Sequence, residues 1–302
     1  MSSKHGVVSK RWGFVAMVFV ATGCGGMPAE ELAAEQEALP KAESALVGNG
    51  YWAATWATTR DMTGHDLGSA TDRTCFLAGV AGNLNVGAEY QVYDLESMAS
   101  VAWRSPGNYW LVAHGGSSTN QVNDRVWDDN PVKAQATCFW TANNVEDATW
   151  KSAPSQFPVS PPVKIADVGP VGRQCFLSGL WGLSGAWNST SRYARVTKKW
   201  DGWYVESNIV LNHGHAQVMG RCVDFPSGTI FSSKTVDADD STVTEALTTG
   251  TGIKACALME IQGAFNQNSW TDGALMNFPS TIDGNWTATV TKGKLARYVC
   301  AR

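Results

Sequence analysis

One eight-residue stretch, Cys75-Phe76-Leu77-Ala78-Gly79-Val80-Ala81-Gly82, returns at Cys175-Phe176-Leu177-Ser178-Gly179-Leu180-Trp181-Gly182. It returns again, worn down, at Cys256-Ala257-Leu258-Met259-Glu260-Ile261-Gln262-Gly263. Three copies of one stretch, 100 and 81 residues apart, mark a chain built from repeated supersecondary units that bury their apolar faces against one another. Each copy follows an aromatic segment, at Tyr51-Trp52-Ala53-Ala54-Thr55-Trp56, Cys138-Phe139-Trp140-Thr141 and Cys222-Val223-Asp224-Phe225. Downstream of each copy a glycine precedes an aromatic residue, in Gly107-Asn108-Tyr109-Trp110, Gly202-Trp203-Tyr204 and Gly284-Asn285-Trp286. Asp201-Gly202 and Asp283-Gly284 are short-range hairpin signals, because glycine accepts the positive φ of a tight turn.

Apolar and polar residues alternate with period two, as in Arg195-Val196-Thr197 and Trp286-Thr287-Ala288-Thr289-Val290-Thr291, while no window holds a 3.6-residue stripe. The body is therefore expected to be all-β, as three tandem disulfide-stapled antiparallel β repeats of about 80 to 90 residues with four to six short strands each. The expected boundaries are residues 48–139, 140–224 and 225–302.

Each repeat also closes on a second cysteine, at Cys138, Cys222 and Cys300. Equivalent repeats should pair equivalently, which leaves two schemes. Either each repeat joins its own cysteines, as Cys75 to Cys138, Cys175 to Cys222 and Cys256 to Cys300, or neighbours are joined, with Cys75 meeting Cys300 to close a ring. The first is expected, because it keeps each module independent. Closing loops of this size stabilises each repeat by about 4 kcal/mol in the chain-entropy account. Tyr298-Val299-Cys300 looks like the tyrosine corner of immunoglobulin domains, yet Ala136 and Gly220 stand in its place in the other repeats.

The beginning of the chain has a different character. Lys4, Lys10 and Arg11 precede an apolar run from Trp12 to Ala21, too short to span a bilayer and suited to an export signal. The run ends in Ala21-Thr22-Gly23-Cys24. These residues resemble the lipobox of bacterial lipoprotein precursors, with Ala21 where leucine is usual. The resemblance implies a signal peptide over 1–23 and a lipidated Cys24 at the mature N-terminus, carrying a diacylglycerol thioether and an amide-linked acyl chain such as palmitate. It also implies a place in the cell envelope. Gly25 rather than aspartate after the cysteine points to the outer membrane. Setting Cys24 aside leaves six of the seven cysteines, an even number suited to an oxidising compartment.

Residues 24–47 are rich in alanine and glutamate, with Pro28 and Pro40 interrupting any long helix, and read as a solvated tether behind the lipid. Removal of residues 1–23 leaves 20 basic against 27 acidic residues, a formal net charge of −7. Such a chain is not suited to nucleic acid or to electrostatic capture by anionic lipid.

Side chains that can carry chemistry are few. Trp110, Trp203 and Trp286 follow the hairpin glycines and are expected to plug the cores. Trp103, Trp127, Trp150 and Trp270 have no repeat partner and are the candidates for stacking on a sugar ring. His213 and His215 would share one face of a strand and are weak metal candidates, as are Asp237 and Asp239 of Asp237-Ala238-Asp239-Asp240. The acidic run superficially suggests a calcium loop but lacks its glycine and terminal glutamate. His114 stands ahead of Ser117 with no assignable orienting acid. Acidic residues also gather at Asp124, Asp128 and Asp129. The chain contains no Gly-x-Ser-x-Gly, phosphate loop, dinucleotide fingerprint or His-Glu-x-x-His. The expectation is a lipid-anchored envelope protein that binds polysaccharide or a surface protein or serves a structural role, with no cofactor. An exported polysaccharide hydrolase is the alternative.

Overall fold

The computed structural model describes residues 51–58, 64–71, 73–85, 89–90, 93–94, 97–104, 107–115, 132–139, 145–154, 158–182, 185–211, 216–247, 255–279 and 284–302. The leader, Cys24 and the tether lie outside these residues. No helix occurs among those described. The first repeat contributes β1 (Tyr51–Thr58), β2 (His65–Ser69), β3 (Thr74–Gly82), β4 (Glu89–Tyr90), β5 (Tyr93–Asp94), β6 (Ser97–Arg104), β7 (Asn108–His114) and β8 (Val132–Phe139). The second contributes β9 (Glu146–Lys151), β10 (Ala153–Pro154), β11 (Val163–Ala166), β12 (Arg173–Gly182), β13 (Tyr193–Lys199), β14 (Gly202–Ser207), β15 (Val210–Leu211) and β16 (Gln217–Asp224). The third contributes β17 (Phe231–Asp237), β18 (Val243–Ala246), β19 (Ala255–Gly263), β20 (Gly273–Asn277), β21 (Thr287–Val290) and β22 (Lys294–Ala301).

The long strands form three six-stranded antiparallel sheets, in the orders β1-β8-β3-β20-β21-β18, β9-β16-β12-β6-β7-β2 and β17-β22-β19-β13-β14-β11. Every sheet is thus half one repeat and half another. The strand that opens with the first cysteine pairs on one side with the second-cysteine strand of its own repeat. On the other side it meets the hairpin of the preceding repeat: β12 with β6, β19 with β13, and β3 with β20. The last of these joins the first repeat to the third, so the repeats close into a ring through backbone pairing. The two short pairs, β4 with β5 and β10 with β15, lie outside this scheme.

The three disulfides are Cys75–Cys138, Cys175–Cys222 and Cys256–Cys300, the scheme internal to each repeat. In each case the two cysteines face each other across an antiparallel pair, β3 with β8, β12 with β16 and β19 with β22. The modules are not the independent units expected, since every six-stranded sheet is shared by two repeats. Closure is made by sheets, and each disulfide fastens the strand at a seam to the neighbouring strand of its own repeat.

A bulge recurs at the same place in all three cysteine strands, between Leu77 and Gly79, Leu177 and Gly179, and Leu258 and Glu260. Below it aromatic rings from the three repeats gather in one cluster. Phe76 and Phe176 lie 4.7 Å apart, and Phe139, Phe225 and Phe231 extend the cluster. Above the bulge the seams form, and each places a small residue opposite the strand: Ala99 on Leu180, Ala194 on Ile261 and Ala274 on Val80.

What stands beside the bulge differs by repeat. Gln135 donates from Nε2 to Met276 O (2.8 Å) and accepts from Met276 N at Oε1 (2.7 Å), taking the place of a strand residue across the seam between repeats one and three. Gly79 makes this possible, since a Cβ there would strike Gln135 Oε1. Met219 takes the corresponding place beside Gly179, and the third repeat substitutes the ion pair Arg297–Glu260 (3.0 Å).

The half-sheets of each repeat also pack on one another and bury a core. Tyr109, Trp203 and Trp286 are the buried hairpin aromatics. Trp110, expected in that role, is only half buried, and Tyr109 occupies the place of Trp203. Asn108 between the glycine and the aromatic adds one residue, and a one-residue slip turns a strand side chain to the opposite face. Tyr298 is fully buried, and its hydroxyl has no hydrogen-bond partner, unlike the hydroxyl of a tyrosine corner.

Candidate functional site

The ring has two unlike ends. At the basal end the cysteine strands begin, and the strand pairs β6–β7, β13–β14 and β20–β21 have their last paired residues, Arg104 with Asn108, Lys199 with Gly202 and Asn277 with Thr287. At the apical end the cysteine strands finish on Gly82, Gly182 and Gly263 and hand over to three loops. These loops lock together around the axis. Leu84 N donates to Phe265 O (2.8 Å), Phe265 N donates to Trp187 O (2.9 Å), and Trp187 N donates to Asn85 Oδ1 (3.0 Å), completing a circuit through all three repeats. Leu84, Trp187 and Phe265 are fully buried and cap the core. Gly182 is required here, because a Cβ would run into Leu84 O.

Outside this cap the apical surface is rich in amides and hydroxyls. Asn83 Nδ2 donates to Asn268 Oδ1 (2.7 Å), Gln267 Nε2 donates to Asn266 Oδ1 (3.0 Å), and Ser269 and Thr271 share a hydroxyl contact (3.0 Å). Beside them a cleft of about 440 Å³ is lined by Thr190, Ser191, Asp237, Asp239, Gln262, Gly293, Lys294 and Leu295. Its walls come from the loop after β12, the end of β17 and the tops of β19 and β22. Gln262 Nε2 donates to Thr190 O (3.3 Å), bridging repeats two and three across the cleft floor. Lys294 is buried and turned away, with Nζ held by both oxygens of Asp272 (2.8 and 2.9 Å).

Asp237 and Asp239 are exposed at the rim. Local desolvation, the neighbouring charge of Asp239 and a hydrogen bond between the two carboxyls push the Asp237 carboxyl above the usual range. Their carboxyl oxygens face solvent at the rim and can accept hydrogen bonds from a ligand. With two hydroxyls and an amide beside them, the lining offers both donors and acceptors to a polar ligand.

The remaining sequence candidates scatter. Trp270 is half-buried in the apical loop that carries the amides, with its indole N–H buried and without a hydrogen-bond partner. Trp103 is exposed at the basal end, on the β6–β7 hairpin. Trp150 is fully buried, donating from Nε1 to Ser160 O (3.2 Å), so its faces contact protein alone. Trp127, His213, His215, Ser117 and the acidic group Asp124, Asp128 and Asp129 lie outside the described residues. His114 is buried, and loss of hydration pushes its imidazole below its ordinary pKa. Among the described residues no group of three or more His, Cys, Asp or Glu side chains converges as a metal site. Asp237 and Asp239 therefore stand as a pair.

Sequence reasoning missed Thr190, Ser191 and Gln262. Asn188-Ser189-Thr190 reads only as a glycosylation sequon and Gln262 as part of the worn repeat, and nothing local marks them as neighbours of Asp237.

No protein-family model matches this chain, and a search of curated proteins finds no match. The fold and the cleft define the protein by themselves: an all-β chain of three disulfide-stapled repeats joined cyclically by shared sheets.

Proposed function

We propose that this is a lipid-anchored outer-membrane protein of the bacterial cell envelope, held by Cys24, that binds a neutral polysaccharide at its apical end. The cleft carries this reading: paired carboxyls, two hydroxyls and an amide, in a surround of asparagine, glutamine and a half-buried tryptophan. Polyhydroxylated ligands are recognised by such planar and hydroxylic groups, each able to donate and accept. The lipobox resemblance and the even cysteine complement support the location.

The alternative, an exported polysaccharide hydrolase, draws no support from Asp237 and Asp239. Both are exposed at the rim, and among the described residues the cleft lining holds no further acid to stand opposite them.

The test is retention of residues 25–302 on a panel of immobilised polysaccharides, with new reducing ends measured in parallel. Retention without cleavage, reduced tenfold or more in Asp239→Asn and Gln262→Ala, is the expected result. Cleavage would establish the hydrolase instead, and absence of retention would overturn the binding role.

A further inference from the structure

The five exposed large hydrophobic side chains among the described residues are unevenly placed. Trp103 (61% exposed), Val171 (98%), Trp200 (92%) and Ile230 (53%) all belong to the basal end, and only Val159 stands elsewhere, near Trp150. Their positions follow from register. Val171 sits in the turn that opens β12, where Phe225 N donates to Gly172 O (3.1 Å). Trp200 is at the tip of the β13–β14 hairpin, next to the pair Lys199–Gly202. Ile230 exchanges backbone hydrogen bonds with Arg302 (3.0 Å each) at the start of β17. Trp103 lies opposite Tyr109 near the β6–β7 turn. All three repeats contribute, yet the four positions share no repeat equivalence, so the clustering is not a by-product of the duplication.

The same end receives the chain. β1 begins at Tyr51, opposite Phe139, one residue past Cys138 and at the level of the disulfides, and runs upward to Thr58 opposite Val132. The 26 residues between Cys24 and Tyr51 reach at most about 90 Å when fully extended. An acyl anchor at Cys24 would thus attach the body through its basal end, within about 90 Å of the bilayer.

We infer that the basal end, through Trp103, Val171, Trp200 and Ile230, docks on the lipid bilayer surface and orients the ring with its apical cleft outward. This rests on the anchored reading. Tryptophan is the residue most at home at the membrane interface, its ring seated among the headgroups with its N–H still wet. Tethering raises the effective concentration of the bilayer at this face to the millimolar range, so a contact too weak to hold a free protein is populated. Docking of this kind needs no net positive charge, consistent with an acidic chain.

The test is oxidative footprinting of the full lipidated protein in phosphatidylethanolamine–phosphatidylglycerol vesicles. The Cys24→Ser chain in solution is the reference, and both are read residue by residue after proteolysis. Oxidation at Trp103, Val171, Trp200 and Ile230 should fall at least threefold in vesicles, while Trp270 and Val159 keep their solution values. The double variant Val171→Asp, Trp200→Asp changes only side chains that touch solvent, so its fold persists, and it should restore oxidation at Trp103 and Ile230. Equal oxidation at both ends with Cys24 lipidated would overturn the docking and leave the anchor intact. An N-terminal peptide without lipid in the same digest would overturn the anchor and the docking with it.

Discussion

Replacing Gln135 by methionine tests the seam that closes the ring. Repeats one and three meet through two register pairs, Gly273 with Ala81 and Ala274 with Val80, whereas β6 and β12 share four. Gln135 extends this short seam with two hydrogen bonds to the Met276 backbone, at 2.8 and 2.7 Å. Methionine keeps the bulk, and Met219 shows that the fold accepts it at the corresponding bulge. The substitution leaves the N–H and C=O of Met276 buried without partners, and each unsatisfied group costs about 1 to 3 kcal/mol. Partial relaxation toward water brings the expected loss to about 3 kcal/mol, a large fraction of the about 5 to 15 kcal/mol that stabilises a domain. Urea unfolding under non-reducing conditions, followed by tryptophan fluorescence, gives this loss from the midpoint and slope. The control is Met219→Leu, which breaks no hydrogen bond and should cost under about 1.5 kcal/mol. If Gln135→Met lies within about 0.5 kcal/mol of the parent, the side chain does not serve as a surrogate strand residue and the reasoning fails.

Arg221 is buried, donating to Asp147 Oδ1 (2.7 Å), Cys75 O (2.7 Å) and Val101 O (3.3 Å) and lying over the Tyr109 ring. A lysine cannot reach three acceptors in one plane, so Arg221→Lys should cost about 2 kcal/mol in the same assay, a value near zero contradicting the bridge. Gly182→Ala should cost about 1 to 3 kcal/mol by forcing Leu84 O away and loosening the apical cap, seen as a lower thermal midpoint. His114 is held neutral by burial, its folded pKa below the unfolded value of about 6.5. Its contribution is fully present above that value and is lost as pH falls, because the unfolded chain takes the proton first. The thermal midpoint should therefore drop between pH 7 and pH 5, and His114→Gln should reduce that drop.

The repeat, the strand content and the disulfide scheme were legible because each is written locally, in a recurring octapeptide, a period of two and the pairing of like with like. The ring was not. Its seams join small residues such as Ala99, Ala194 and Ala274 to apolar ones in another repeat, and an alanine in an alternating strand carries no mark of its partner. The place of Tyr109 was misread for a related reason: a single extra residue at Asn108 leaves the motif recognisable but shifts which aromatic faces inward. The cleft is hidden more deeply, since Thr190 and Ser191 stand more than 40 residues from Asp237 and join it only when repeats two and three share a sheet. Asp237 and Asp239 were singled out from their spacing alone, and geometry supplies their neighbours.

Cyclic closure is best tested by nuclear Overhauser effects between backbone protons in the unmodified body, where the seams between repeats one and two and between two and three serve as internal controls. The account predicts cross-peaks linking Val80 and Ala81 to Gly273 and Ala274, alongside those linking Leu180 to Ala99 and Ile261 to Ala194. Cross-peaks at the two control seams with none between residues 80–81 and 273–274 would show an open row of repeats and contradict it.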